Sequence, residues 1–395
     1  MQKIDKYLLT SSVVAIFTEA FTFHYFIDLK LFYVILIVNF FIIASKYKLT
    51  IHKNLIIIIT FFLIHGIVTY LLFSNPILSL VAQLLGIAIS SIYFYNLIKI
   101  FKVKVLIEKY LTISFFLALL AIPMFYLNIN VFNYDRLNGV LSEPAHYASI
   151  MLPAVYLFFI KKEYFKFAIV LLTIFLTKSS IGLIGLLLLI IIPLIKTKYF
   201  LKYALVVFVI IGSVTVFVFS KWDEKVDEND SDKIVRRIKE TKESLSASYT
   251  GKFKEYTNLS SYAFLSNLFI TQQITFHKPF GTGIGSYKHE YEKYYYKLTP
   301  PKYLIKSTHS KINKTDANSL LLRMIADLGV FSILFFIFFI YWALKLFKND
   351  NRVYQKGTFF YLSVKLLREG HYFPPEFYFF LLIFLKNDNE NTTHS

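Results

Sequence analysis

No cysteine occurs in the 395 residues, which excludes disulfides, thiol nucleophiles and thiolate metal sites and leaves redox chemistry no say about compartment. Acidic side chains are also scarce, with 25 against 43 lysines and arginines and a net charge of +18. In a soluble chain that balance would point to nucleic acid. Here the lysines lie in short loops beside hydrophobic runs, the pattern of membrane orientation, so no nucleic-acid partner is expected. No His/Glu cluster stands at metal-ligand spacing, and neither a metal nor another cofactor is expected. An internal repeat is missing too, which argues against transporters built from two related halves.

Apolar sequence is what the chain has in abundance: 56% of residues are hydrophobic and 19% aromatic. Runs near the length a helix needs to cross a bilayer fall at 7–27, 29–45, 55–73, 76–98, 110–129, 144–160, 164–177, 180–195, 203–220, 319–347, 358–367 and 372–385, which predicts an all-α polytopic integral membrane protein of about twelve transmembrane helices. The seventh, eighth and last two runs are short for a full crossing, as expected of tilted, broken or re-entrant segments. The first run lacks a small-residue cleavage site, so no cleaved signal peptide is expected. Lys3 and Lys6, Lys46 to Lys53, Lys99 to Lys109, Lys161 to Lys166, Lys196 to Lys202 and Lys345 to Lys356 all fall in alternate loops. That places both termini in the cytoplasm. The expected division is residues 1–220 as helices 1–9, 221–318 as one large external (periplasmic) loop between helices 9 and 10, and 319–395 as helices 10–12 with a short tail. A loop that long is functional or disordered; its helical spacing and aromatic content predict an ordered cap.

The stretch "DRLNGVLSEPAHYA", residues 135–148, concentrates charge between two greasy runs. A guanidinium at the outer mouth of the bundle needs a partner or a wet cavity, and its donors suit phosphate or carboxylate. Two readings of Arg136 follow: it faces an anionic ligand, or it pairs with Asp135 or Glu143. Pro144 suits the first turn of a helix, with Ser142 or Glu143 near the cap, and His146 then falls on that turn as a hydrogen-bonded helix residue or a ligand. "TKSS", Thr177 to Ser180, reads equally as a hairpin turn or an anion site in which Lys178 and Ser179 flank a helix N-terminus. "RMIAD" sets Arg323 and Asp327 four apart on one face, able to pair. "GTGIGS", Gly281 to Ser286, lacks the strand and helix of a dinucleotide fingerprint and reads as a tight glycine turn. "DSD", Asp230 to Asp232, lies in a run of alternating charge and reads as a solvated helix start.

In order along the chain, "RLNGVLSEPAHYA", "TKSS", "PFGTGIGSY" and "DANSLLLRMIADLGVFS" resemble the O-antigen ligase and polymerase superfamily. The resemblance implies oligosaccharides carried on undecaprenyl pyrophosphate, handled at the outer face of the bacterial inner membrane without metal or nucleotide. It also implies that Arg136 holds the pyrophosphate leaving group, with Gly139, His146, Lys178, Ser179 and Arg323 around it, and that Glu143, His309 or Asp316 takes the proton of the acceptor hydroxyl. The sequence departs from the family pattern in three places. Phe264 stands where an arginine is usual, leaving Arg236, Arg237, Lys252 or Lys254 as a second cation. Ala317 replaces a histidine before Asn318, and Ser180 replaces an arginine after the turn. The missing histidine favours a polysaccharide polymerase over a ligase; a flippase for lipid-linked sugars is the reading from another class. Tyr287 and the tyrosines at 291 and 294–296 either stack on sugars or anchor at the interface. The partners implied are the lipid-linked oligosaccharide, the bilayer and a chain-length regulator protein.

Overall fold

The computed structural model describes residues 2–24, 28–130, 135–194, 244–374 and 376–386. The expected ninth span, 203–220, and the "DSD" stretch lie outside them. Apart from one two-stranded hairpin, β1 (Thr22–His24) paired antiparallel with β2 (Asp28–Lys30), the described chain is helical. The first helix, α1, runs Lys3–Ala15, followed by α2 (Leu31–Lys46), α3 (Lys53–Phe73), α4 (Ile77–Ile100), α5 (Val103–Tyr126), α6 (Pro144–Ile160), α7 (Tyr164–Leu176) and α8 (Ser180–Leu194). Beyond the gap come α9 (Ala247–Thr250), α10 (Leu259–His277), α11 (Tyr287–Tyr294), α12 (Lys302–Lys306), α13 (Leu320–Leu328), α14 (Ser332–Phe347), α15 (Val353–Leu367) and α16 (Phe377–Leu385).

Four stretches are long and apolar enough to cross a membrane: α3, α4, α5, and α13 with α14 taken together as Leu320–Phe347. α2, α6, α7 and α8 are shorter apolar helices. Among the described residues, a helix overlaps each apolar run read from the sequence, and two of the runs are broken. The run 7–27 does not continue as one helix, because α1 ends at Ala15 and the chain turns into the hairpin. Glu19 lies in that turn and is drawn into an ion pair with His146, a contact that a straight lipid-facing helix would deny it. The expected tenth span is likewise broken: Gly329 takes a φ of 56° and a single 3-10 turn, Gly329–Phe331, joins α13 to α14.

α6 and α15 form the centre of the bundle. Nearly every residue from Pro144 to Phe158 is buried, as is the stretch from Gln355 to Leu362. A helix that is apolar on all faces belongs inside such a bundle. Gly357 lets the two approach, since a methyl group there would meet the Leu157 side chain at 3.0 Å. The lysine-rich loops gather at one end: Lys46 and Tyr47 both reach Asp5, the Asn96 side chain accepts from the Thr50 backbone N–H at 2.9 Å, and Lys161 and Tyr354 meet on Glu108 at 2.6 and 3.0 Å. Their alternation along the chain is thereby matched in space, because consecutive helices run antiparallel.

At the opposite end residues 244–318 build a unit with its own core. Phe253, Tyr262, Phe269, Ile270, Tyr287 and Tyr291 are packed together, and Leu322 and Ala326 of α13 complete the cluster. Asn258 caps α10 by accepting from the backbone N–H of Ser261 at 2.9 Å, the satisfaction of an orphan donor that a helix start requires.

Candidate functional site

α6 begins, α15 ends and α13 begins at the same end of the bundle, the end that carries the 244–318 unit. Their termini bring a dense polar cluster into an otherwise apolar molecule. His146, on the first turn of α6, stands between two carboxylates: its Nδ1 is 2.8 Å from Glu19 Oε2 and its Nε2 is 3.9 Å from Glu369 Oε1. The Ser142 hydroxyl donates to the same Glu19 oxygen at 3.0 Å, and Lys30 Nζ is 3.7 Å from the other. Lys365, on the last turn of α15, meets Glu369 at 2.8 Å. The Tyr361 hydroxyl donates to Glu376 at 2.7 Å. Burial pushes the Glu19 carboxyl up, but the charge and hydrogen bond of His146, with Lys30 and Ser142, outweigh it and hold the group down at about 2. Glu369 is lowered in the same way, burial being overcome by Lys365 and His146. For Glu376, just before α16, burial together with the charge of Glu369 outweighs the pull of Lys365 and the Tyr361 hydrogen bond and raises it to about 7.

A second group of polar residues adjoins this one. Arg368 donates to the Asn318 side chain, and its other arm lies 4.0 Å from Glu143. His371 Nε2 is 3.5 Å from Asp316 Oδ2, whose other oxygen accepts from the Asn318 backbone N–H at 3.1 Å. Arg323, buried, donates to the Gly370 carbonyl at 2.9 Å, lies 4.6 Å from the Tyr372 ring centre and is 3.6 Å from Asp327. The pairing of Arg323 with Asp327 read from their spacing is therefore present. Tyr372 donates to the same carboxylate at 2.9 Å. Ala317, Asn318 and Glu369 all have left-handed backbone, with φ of 59°, 60° and 69°. Non-glycine residues pay for that conformation, and it persists where surrounding contacts over-determine it, commonly at sites of function.

Glu143, His146, Asp316 and Arg323, four of the residues singled out from the sequence, thus share one end of the bundle. Arg136, Gly139, Lys178 and Ser179 form a neighbouring patch at the same end. The Arg136 Nε and Nη2 donate to the backbone carbonyls of Thr177 and Lys178 at 2.9 and 3.2 Å. Lys178 Nζ in turn donates to the Asp135 carbonyl at 3.3 Å. Gly139, with a φ of 55°, packs against Ala121 and Tyr147, and the Ser179 hydroxyl accepts from the Gly182 N–H at 3.4 Å, opening α8. "TKSS" is thus a hairpin turn, and Arg136 clamps two of its carbonyls.

The remaining candidates are not brought to this cluster. Lys252 is exposed on the 244–318 unit, as is His309, in the turn after α12; the histidine on Asp316 is His371. Tyr287 is wholly buried, its hydroxyl donating to Asn267 Oδ1 at 2.8 Å, so its ring has no face open to a sugar. Of the neighbouring tyrosines, Tyr291 is buried beside it, whereas Tyr296 is on the surface. Arg236 and Arg237 lie outside the described residues. Sequence reasoning missed Glu19, Lys365, Arg368, Glu369, His371 and Glu376. Five of them lie in "KLLREGHYFPPEF", residues 365–377, a charge burst between two apolar runs of the same kind as residues 135–148.

The Glu143–Arg368 contact is long and both side chains reach solvent, with exposures of 53% and 30%. Such pairs contribute roughly 0–1 kcal/mol. Glu143→Gln is therefore expected to shift thermal unfolding in detergent hardly at all, so that a fall in activity would report chemistry and not loss of fold. A shallow depression of about 510 Å³ lies at the opposite, lysine-rich end, lined by Asp5, Tyr47, Lys48, Asn96 and Lys99. It holds neither the buried carboxylates nor the strained backbone, which lie at the other end. No model of a known protein family matches the sequence, and no curated protein matches it. The apolar helices define a helical membrane protein with a buried, ion-paired polar centre at one end.

Proposed function

We propose that the protein is a polysaccharide polymerase, a metal-independent glycosyltransferase that moves a growing undecaprenyl-pyrophosphate-linked glycan onto a new lipid-linked repeat unit. In this reading the chain crosses the bacterial inner membrane about twelve times, both termini are cytoplasmic, and residues 221–318 form the external loop that covers the site. A chain-length regulator would be its protein partner, and the polymer an O-antigen or a capsule. The observation that carries the reading is the convergence of Glu143, Asp316, His371 and Arg368 at one mouth of an apolar bundle. Carboxylates and imidazole there can accept a proton, and guanidinium can stabilise a departing phosphate.

In the reaction, an acceptor hydroxyl attacks the anomeric carbon of the donor glycan. Its proton passes to the base, for which Asp316 with His371 or Glu143 is suited by position, and the breaking carbon–oxygen bond leaves its electron pair on the pyrophosphate. Arg368 holds that charge by bidentate contact. Arg136 has two of its donors committed to the Thr177 and Lys178 carbonyls, so it shapes the mouth and adds its field. Removal of one cation from a leaving group costs roughly 3 to 4 kcal/mol, or about 100- to 1,000-fold in rate.

The test is the length distribution of lipid-linked and surface glycan in a deletion strain carrying the native protein, Arg368→Gln or Arg136→Lys. Loss of long chains while single units still reach the surface, not restored by Arg368→Gln, supports the polymerase. Long chains stranded on the lipid carrier would instead mean a ligase, and single units trapped on the cytoplasmic side a flippase.

A further inference from the structure

The glycine-rich turn after α10 does not lie on the surface of the 244–318 unit. It is set between α3 and α4. His65 Nε2 is 2.9 Å from the Phe280 carbonyl oxygen, the Asn75 side chain donates to the Thr282 carbonyl at 2.6 Å, and the Ser79 hydroxyl donates to the Gly285 carbonyl at 2.7 Å. From the other side the Thr282 and Gly283 N–H groups donate to the Asp327 carbonyl at 3.1 and 2.8 Å, and the Val330 N–H donates to the Pro279 carbonyl at 2.9 Å. A methyl group at Gly283 would fall 2.3 Å from Thr69 Oγ1 and one at Gly285 2.8 Å from Ser79 Oγ. Bare backbone is what fits the slot.

His65 stands two turns before α3 ends at Phe73, roughly 12 Å along the axis. α3 is one of the four stretches able to cross a membrane, so the turn reaches below the level at which that helix ends. Irregular backbone at such a depth is tolerated only where the protein itself meets its polar groups, which is what the carbonyl and N–H partners above supply. The outward side is apolar. Phe276 is 85% and Phe280 63% exposed, and the Phe280 ring lies 6.1 Å from that of Phe331, which packs in turn on Phe61 and His65 of α3. Lys278, between the two phenylalanines, turns its ammonium back over the Phe73 ring at 4.4 Å and onto the buried Glu290 at 2.6 Å, so its charge is met inside the protein and not on the apolar outward side.

We propose that residues 276–286 form a re-entrant turn embedded in the membrane, with Phe276 and Phe280 seated among lipid acyl chains, so that the 244–318 unit is held to the bilayer as well as to the helices. The partner is lipid because the exposed Phe280 ring joins, through Phe331, the aromatic cluster on α3, one of the helices able to cross a membrane. The inference rests on the membrane character of the helices and not on the proposed reaction.

The absence of native cysteine makes a direct test available. The full chain is reconstituted in phosphatidylcholine/phosphatidylglycerol vesicles with an environment-sensitive fluorophore on Phe280→Cys, Phe276→Cys or Tyr296→Cys, the last a surface control at 77% exposure. Labels at 280 and 276 are expected to emit further to the blue than the label at 296, to be quenched by nitroxides on the acyl chains and to be protected from aqueous iodide. Iodide quenching at 280 and 276 equal to that at 296 would overturn the proposal in favour of a water-facing loop. Shielding from both quenchers, with cross-linked dimers through 280, would overturn it in favour of a second copy covering the face. If Phe280→Cys does not fold, Phe276→Cys, at the more exposed position, decides alone.

Discussion

Gly370→Ala is expected to prevent accumulation of folded protein. A methyl group at this position would stand 1.4 Å from the backbone oxygen of Asp316 and 2.6 Å from its carbonyl carbon. Those atoms belong to the main chain and cannot be swung aside as a side chain can. The same glycine offers its carbonyl to Arg323, and the preceding Glu369 N–H donates to the Asn318 carbonyl at 3.0 Å. The segment after α15 is therefore laced to the segment before α13 by backbone contacts on both sides of Gly370, and one extra carbon forces them apart. The loss should exceed about 4 kcal/mol, in the range kept for changes that packing cannot absorb. Membrane yield and the unfolding temperature of whatever protein can be purified provide the measurement; an alanine variant of native stability would mean that the two segments are not in contact.

His146→Ala should be nearly as damaging, for an electrostatic reason. The imidazole is the element that links Glu19, in the turn after α1, to Glu369, after α15. Without it two carboxylates remain buried with only Lys30 and Lys365 beside them. Breaking a buried pair by removing one partner costs about 3 to 5 kcal/mol, because the stranded charge keeps its desolvation penalty. The pH dependence separates this from simple loss of packing. With the Glu19 carboxyl held at about 2 against an ordinary 4.5, its contribution to stability is complete above pH 4.5 and drains away as the pH falls towards 2. In His146→Ala the holding charge is gone while burial still pushes the carboxyl up, so that contribution is absent. Unfolding temperatures of the native and variant proteins should thus differ widely at neutral pH and converge as the pH is lowered through this window. A gap that stays constant with pH would show that His146 matters by its volume alone.

Much of the helical layout was legible in the chain because apolar length and alternating lysines are one-dimensional properties. α6 was read to the residue from Pro144, whose missing N–H and fixed φ suit a first helical turn. Arg323 and Asp327 were paired correctly because four residues is one helical turn. Failures came where a residue's environment depends on a distant segment. Glu19 was read as part of a continuous span because its partner His146 is 127 residues away. Tyr287 reads as a surface aromatic among lysines, yet it is wholly buried, with its hydroxyl on Asn267 of α10. His309 is nearer to Asp316 in the chain than His371, but His371 is the one the fold places on it. The stretch 365–377 was passed over because its flanking apolar runs are short, although its density of charge is the same signal that drew attention to residues 135–148.

What the sequence determined alone was therefore the class of molecule and its periodic parts. A chain this apolar, with lysines at alternate loops, reads as a membrane helix bundle, since hydrophobic length and charge placement are properties of the chain as a line. Only the tertiary structure decided which charges meet, that Arg136 clamps a helix hairpin, that Arg368 and His371 stand at the mouth with Glu143 and Asp316, and that a glycine turn lies between α3 and α4. Those are matters of which helix ends share one level of the bundle, and buried charges and irregular backbone can exist only where that arrangement brings them partners.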